Sequence, residues 1–402
     1  MCCWCSCLEC IHNIPPLNLL FLYFSDPALP AGEEGEAVSM ASISFPNPVP
    51  PATEDAENIR KAVQDGILLA FEDWGVSVDS LIKINRARDM RGWGTDEKAL
   101  IEILGHRTAA QRAEIAVAYE GLYNETLLDR LHSELSGDFR SAMMLWTMDP
   151  AARDAKLAHK ALKKKGDRHV WVLIEVACAS SPDHLVTVRK AYCAAYSASL
   201  EEDVAACPLY KDPLKQASPP FLVRLVSSYR YSGELVDDEL AGAEAAELHD
   251  AVVARKQPLH GDVVRILSSR SKPQLKATFE RFRQEHGKAI DDVLEERRSD
   301  QLAAMLKTAV WCLASPEKHF AEKWPISPPM PFFVFQVIRS SIVGLGTDES
   351  SLTRAIVSRA EVDMKKVKEE YKVRYRKTVT SDVNGDTSGY YNGILLTLVG
   401  PE

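Results

Sequence analysis

The first 59 residues of this 402-residue chain contain no lysine and no arginine. Secretory and organellar targeting peptides carry basic residues near their start, so this absence argues against both. The apolar run at residues 17–24 is also too short to span a bilayer. Proline, alanine, serine and glutamate dominate this part of the chain, and we expect residues 1–55 to form a largely disordered extension.

Nucleotide-binding glycine patterns are missing as well, since neither GxGxxG nor GxxxxGK occurs. No stretch shows the sustained alternation of a β-strand. The formal net charge is −9, so overall electrostatics do not favour nucleic acid or an anionic membrane. Any contact with anionic lipid needs a cation between the two acidic surfaces. These absences predict an all-α chain without a nucleic-acid partner.

The nine cysteines are unevenly distributed. Cys178, Cys193, Cys207 and Cys312 lie singly in helical stretches, which is typical of reduced core residues in a cytoplasmic protein. The other five crowd residues 2–10 without the paired spacing of a structural zinc site, and lipid attachment there remains an alternative.

Helical patterns repeat four times beyond Arg60. An aliphatic position opens each pattern, and an aromatic ring follows 19 residues later. A second ring lies four residues further on. The aliphatic positions are Leu100, Leu173, Val263 and Leu352, the first rings are Tyr119, Tyr192, Phe282 and Tyr371, and the second rings are Tyr123, Tyr196, His286 and Tyr375. We interpret the rings as core residues at i, i+4 spacing of four structural repeats.

The repeats predict domain boundaries at 56–150, 151–232, 233–320 and 321–402. Two stretches exceed the repeat length, at about 67–92 in the first repeat and about 323–336 in the fourth. Residues 58–66 and 78–89 are both candidates for the opening helix of the first repeat, and the sequence leaves open which of them serves.

Two six-residue stretches are nearly identical. Residues 92–97 and 344–349 both read Gly-x-Gly-Thr-Asp-Glu, and both precede a helical pattern. An acid follows 40 residues after the second glycine in each case, at Glu134 and Asp386. Loop carbonyls and one distant carboxylate form the oxygen-only cage that Ca²⁺ prefers.

These motifs and the fourfold pattern make the chain resemble the annexins over about residues 56–402. The presence of the acid in the first and fourth repeats, and its absence from the middle two, resembles the pattern of plant annexins. The resemblance implies five short helices per repeat, a curved disc, and calcium loops that dock on anionic phospholipid. It further implies a role in membrane-linked calcium and stress signalling, and a cytoplasmic protein that moves to the plasma membrane when calcium rises. Actin is a further candidate partner, and a monomer or a membrane-bound oligomer is expected.

Specific site residues follow from the resemblance. Calcium would be held by loop carbonyls and the two acids, and the residues flanking the glycines would contact the membrane. The metal residues are Met90, Gly92, Gly94, Glu134, Ile342, Gly344, Gly346 and Asp386, and the membrane-contact residues are Arg91, Trp93 and Leu345. Trp93 between two glycines suits the membrane interface, where tryptophan is enriched.

The middle repeats lack the acid. Cys207 stands at its position in the second repeat and Arg297 in the third, and neither can replace a bidentate carboxylate. Lys163, Lys164 and Lys165 would lie on the loop side of the second repeat, where they either contact lipid phosphate or form a solvated charge run.

Two alternatives compete with calcium-dependent membrane binding. A scaffold with a degenerate first site would bind membrane or cytoskeleton without calcium. A peroxidase-like enzyme would use His106 as a haem ligand, but a single histidine at a helix end is more often a cap or surface residue. We therefore expect a protein that is not an enzyme.

Overall fold

The computed structural model describes residues 40–63, 95–163, 170–207, 214–297, 299–321, 338–342 and 347–402. Within these ranges the chain forms helices and turns and no strand, which confirms the all-α prediction. The helices fall into four successive groups that correspond to the four repeats.

The helix bounds show the same order in every group. The first repeat contains α1 (Ala52–Val63), α2 (Glu97–Leu104), α3 (Ala109–Tyr123), α4 (Leu127–Glu134) and α5 (Gly137–Thr147). The second contains α6 (Pro150–Lys163), α7 (Val170–Ala179), α8 (Pro182–Tyr196), α9 (Leu200–Ala205) and α10 (Leu214–Val226). The third contains α11 (Asp238–His249), a π-helical turn (Asp250–Ala254), α12 (Gly261–Ser269), α13 (Lys272–His286), α14 (Ile290–Glu296) and α15 (Gln301–Ala314). In the fourth, the described parts of the opening segment are α16 (Pro316–Ala321) and α17 (Ile338–Ile342), followed by α18 (Glu349–Arg359), α19 (Met364–Tyr375), α20 (Val379–Asp386) and α21 (Gly389–Val399).

The paired rings form the centre of each repeat. The first ring of every pair is fully buried, and its centroid lies 4.8–5.1 Å from that of the second ring. A side chain from the opening helix lies against the second ring in each repeat. These side chains are Arg60, His159, His249 and Arg339. The first rings are therefore core residues, as the sequence predicts, while the second rings are half-buried and lie at the edge of the core.

The opening helix of the first repeat is α1. Arg60 on α1 contacts Tyr119 and Glu125, just as Arg339 on α17 contacts Tyr371 and Asp382. Of the two candidates in the sequence, the one at residues 58–66 therefore serves, and the excess residues follow it. The excess itself, like that at about 323–336, lies outside the described residues.

The repeats pack in two pairs. Helix α5 of the first repeat packs against α18 and α21 of the fourth, while α7 of the second packs against α15 of the third. The resulting fold is the disc of four repeats that the family resemblance implies.

The segment before α1 is part of this packing. The backbone N–H of Ser42 donates to the Ala360 carbonyl at 3.1 Å, and the Ser42 hydroxyl donates to the Leu398 carbonyl at 2.5 Å. Ordered chain therefore begins before residue 55, earlier than its composition suggests, because Ala41 and Ile43 find a buried place against the fourth repeat.

Candidate calcium loops

The fourth-repeat loop has an exposed acid beside its end. Asp386 is the last residue of α20, and one of its carboxylate oxygens accepts a 2.5 Å hydrogen bond from the Thr347 hydroxyl. Asp348 then caps α18 by accepting from the Ser351 N–H at 3.1 Å. Among the described residues, no lysine or arginine pairs with Asp386. The carboxylate is therefore available to a cation from outside the protein.

The first-repeat loop has the same plan with one addition. The Thr95 hydroxyl lies 3.4 Å from Oε2 of Glu134, and Asp96 caps α2. The other oxygen of Glu134 forms an ion pair with Nη2 of Arg130 at 3.2 Å. Both oxygens of Glu134 are thus engaged, and only about a quarter of its side chain is exposed.

A glycine positions each acid relative to the helix that follows. Gly137 and Gly389 come three residues after Glu134 and Asp386, and they have φ values of +60° and +63°. A side chain at such φ is strained, so glycine suits this turn. In both repeats the acid is the last residue of the helix before this turn, α4 or α20.

A backbone hydrogen bond to an equivalent carbonyl closes three of the loops. The N–H of Asp96 donates to Ala62, that of Gln257 to Ala251 and that of Asp348 to Ser341, at 2.8, 2.8 and 2.9 Å. Each acceptor lies two residues after the side chain of the opening helix that contacts the second ring. These side chains are Arg60, His249 and Arg339 in the three repeats. The carbonyl that follows the acceptor therefore belongs to Val63, Val252 and Ile342 respectively, and to Leu162 in the second repeat.

This correspondence changes the assignment in the first repeat. Counting residues along the sequence paired Met90 with Ile342, whereas the structure gives the place of Ile342 to Val63, at the end of α1. Residues inserted between Val63 and Thr95 hide this relation from a simple count. The metal-ligand role of Met90 stays a prediction, because Met90 lies outside the described residues.

Three of these four carbonyls already have an internal side-chain donor. Arg130 donates to the Val63 carbonyl at 2.9 Å, Cys207 to that of Leu162 at 3.8 Å, and Arg297 to that of Val252 at 3.2 Å. In the described part of the fourth repeat, no side chain donates to the Ile342 carbonyl.

The described residues include only part of the predicted site. Arg91, Gly92, Trp93, Gly94, Gly344, Leu345 and Gly346 lie outside the described residues, as do Lys164 and Lys165. Glu134, Ile342 and Asp386 are described, and the structure places each at a helix end beside its loop. The third repeat's Arg297, at the position of the missing acid, also reaches the Lys256 carbonyl and Asp300 at 3.1 and 2.8 Å.

The donor chemistry of the first and fourth loops fits Ca²⁺. Within the described ranges, no three His, Cys, Asp or Glu side chains gather as a transition-metal site would require. A hard cation held by one carboxylate and several backbone carbonyls needs no such cluster. No described helix has both the length and the apolar character needed to cross a bilayer.

Charged side chains lie among apolar ones where the repeats meet. A cavity of about 470 Å³ lies between repeats one, two and four. Burial alone would raise the pKa of Asp154 in its wall, but Arg153 and His184 hold that pKa at about 2. In the same wall, the Glu175 carboxylate on α7 pairs with Arg354 on α18. Its Oε1 also lies 3.0 Å from Nε2 of His319 on α16. These charges join the two halves of the disc.

Comparison with known proteins agrees with this architecture. The annexin family model matches residues 85–146, 153–207, 244–308 and 333–398. Annexin D3 of Arabidopsis thaliana is 40% identical over 368 residues, which cover 90% of this chain and all of the relative. Annexin-like protein RJ4 of Fragaria ananassa is 45% identical over 78% of this chain and 93% of its own length. The solved structure of annexin III superposes with a TM-score of 0.71 at 29% identity, covering 90% of this chain and 97% of that one.

The chain belongs to the annexin family, whose members are known for calcium-dependent binding to phospholipid. Its relatives include several plant annexins, as the resemblance in the sequence indicates.

Proposed function

We propose that this annexin binds anionic phospholipid membranes in a calcium-dependent manner, through its first and fourth loops. Asp386 and Glu134 would hold the ion together with loop carbonyls, among them that of Ile342. Bound there, calcium supplies the positive charge that joins an acidic protein to lipid phosphate. With a net charge of −9, the chain has no other general attraction to such a surface.

The observation that carries this proposal is the arrangement at Asp386. The Asp386 carboxylate is exposed and accepts a hydrogen bond from the loop residue Thr347, and its helix α20 packs against α17, which ends at Ile342. Among the described residues, no side chain donates to the Ile342 carbonyl. An exposed carboxylate without an internal cation partner can serve as a calcium ligand. Asp382, four residues earlier on the same helix, is by contrast paired with Arg339.

We expect the protein to sediment with phosphatidylserine vesicles in calcium and to stay in the supernatant when calcium is chelated. The charge balance of the two surfaces is the reason, since acidic protein and acidic lipid repel without the ion. Vesicles of phosphatidylcholine alone are the control and should bind little. Equal sedimentation with calcium and with chelator would instead support the scaffold alternative, in which the chain binds without calcium.

Trp93 should enter the membrane interface. Its tryptophan emission should shift to the blue when calcium and phosphatidylserine vesicles are added together, because the ring moves to a less polar medium. Trp93→Ala should lose most of the shift. Trp311→Phe is a matched control, since Trp311 is 8% exposed and donates to Asp291 inside the protein. A full shift in Trp93→Ala would show that another tryptophan reports the binding.

We propose a binding protein rather than an enzyme. His106, the candidate haem ligand, lies with Nδ1 2.8 Å from the Ser44 carbonyl and 3.3 Å from the Ser44 hydroxyl. This contact holds the segment before α1 against the turn after α2, which is a structural role. We further propose that membrane attachment is peripheral, at the plasma membrane from the cytoplasm, and serves calcium and stress signalling. Actin binding and assembly into oligomers on the membrane belong to the same proposal.

A further inference from the structure

The Arg130 side chain occupies the place in the first repeat where a cation would be held. Its Nη2 donates to the Val63 carbonyl at 2.9 Å and pairs with Glu134 at 3.2 Å. The first group is the structural counterpart of the Ile342 carbonyl, and the second is the counterpart of Asp386. One guanidinium nitrogen therefore joins the two kinds of oxygen that a calcium ion would join.

The fourth repeat lacks this contact because its sequence differs at one position. Arg130 stands 30 residues after Leu100, and the residue 30 after Leu352 is Asp382. Asp382 instead pairs with Arg339 and accepts a hydrogen bond from the Tyr371 hydroxyl. No arginine or lysine of the described fourth repeat contacts Asp386. An ion from solution therefore does not compete with a side-chain cation for this carboxylate.

The third repeat shows that a guanidinium can fill such a place. Arg297 approaches from the position of the missing acid and reaches the Val252 and Lys256 carbonyls at 3.2 and 3.1 Å. Its Nη2 also lies 2.8 Å from Asp300, whose other oxygen accepts from the Leu302 N–H and so caps α15. Positive charge next to helix-end carbonyls is favourable, because those carbonyls lack helical partners.

We propose that Arg130 is a built-in competitor of calcium at the first-repeat site, so that the fourth loop fills at lower calcium than the first. This inference rests on the proposed calcium role of Glu134 and Asp386. Glu134 cannot offer both oxygens to an ion while Arg130 and Thr95 hold them. Binding there requires the guanidinium to swing away, and a positive charge that stays nearby repels the ion. The chain would then respond to calcium in two stages.

The test measures ion binding without membrane. Terbium luminescence, excited directly, reports occupancy of oxygen-ligated calcium sites in the full-length chain. In an Asp386→Ala background, Arg130→Met should raise the apparent terbium affinity by about tenfold, because one competing charge-assisted contact is removed. Adding Glu134→Ala should abolish that gain, which ties it to the first site.

Two further variants keep the test decisive. Arg283→Met removes an arginine that pairs with Glu280 on the exposed side of α13, and it should leave the affinity unchanged. Arg130→Gln keeps a polar side chain and should reproduce the gain if Arg130→Met fails to fold. Unchanged or weaker terbium binding in folded Arg130 variants would overturn the competitor role. Absence of terbium binding in the unmodified chain would instead overturn the proposed calcium function itself.

Discussion

Asp386→Ala is expected to raise the calcium concentration needed for half-maximal vesicle binding by at least about tenfold, since calcium affinity depends on the number of charged ligands. Glu134→Ala should have a much smaller effect. The difference follows from the surroundings of the two acids. Asp386 is exposed and contacts Thr347, whereas Glu134 is already paired with Arg130. The double variant should bind little, because Cys207 and Arg297 replace the acid in the other repeats.

The measurement is a calcium titration of sedimentation with phosphatidylserine vesicles. Asp129→Ala is a matched control, since it removes one negative charge from α4 at a residue bonded to its own helix cap, Thr126. The ranking is wrong if Glu134→Ala alone abolishes binding and Asp386→Ala is silent. The first site would then be the working one despite Arg130.

Glu175→Ala should lower the free energy of unfolding by about 3–5 kcal/mol, the usual cost of removing one partner of a buried ion pair. The side chains of Glu175, His319 and Arg354 are 8%, 8% and 11% exposed. Removal of the carboxylate leaves the Arg354 guanidinium buried without its partner. Since Glu175 belongs to the second repeat and Arg354 to the fourth, the loss acts on the contact between the two halves of the disc.

Urea unfolding followed by circular dichroism would measure this cost. Glu280→Ala is the matched control, because its carboxylate pairs with Arg283 in solvent, and it should unfold like the unmodified protein. Replacing both partners, as Glu175→Leu with Arg354→Met, should recover part of the loss, since no unpaired charge then remains. A Glu175→Ala variant as stable as Glu280→Ala would contradict a structural role for this pair.

The repeats could be predicted from the sequence because their core positions recur at fixed spacing. Tyr119, Tyr192, Phe282 and Tyr371 are each fully buried in the structure. Burial of a large ring constrains the residue type strongly, so these positions stand out even in a single sequence. The opening helix of the first repeat was ambiguous for the opposite reason. Two amphipathic stretches fit, and only the contact of Arg60 with Glu125 and Tyr119 decides between them.

The acids of the site could be predicted, but their partners could not. Glu134 and Asp386 share the same offset from the same glycine motif, and so they look equivalent in the sequence. Arg130 lies one helical turn before Glu134, where an arginine ordinarily reads as a solvated surface residue or an i, i+4 pair. Its second contact, with the Val63 carbonyl, depends on how α1 packs against α4, and no local pattern records that.

The pairing of the repeats has a mechanical consequence. The first and fourth repeats pack together as one half of the disc, and both carboxylate loops belong to that half. Adhesion through calcium would then pull on the disc off its centre, with the second and third repeats acting as a lever arm. The buried charges around Glu175 lie between the two halves and would transmit part of that load. If calcium binds as proposed, the contact between the two halves would carry a bending force whenever the protein is attached to a bilayer.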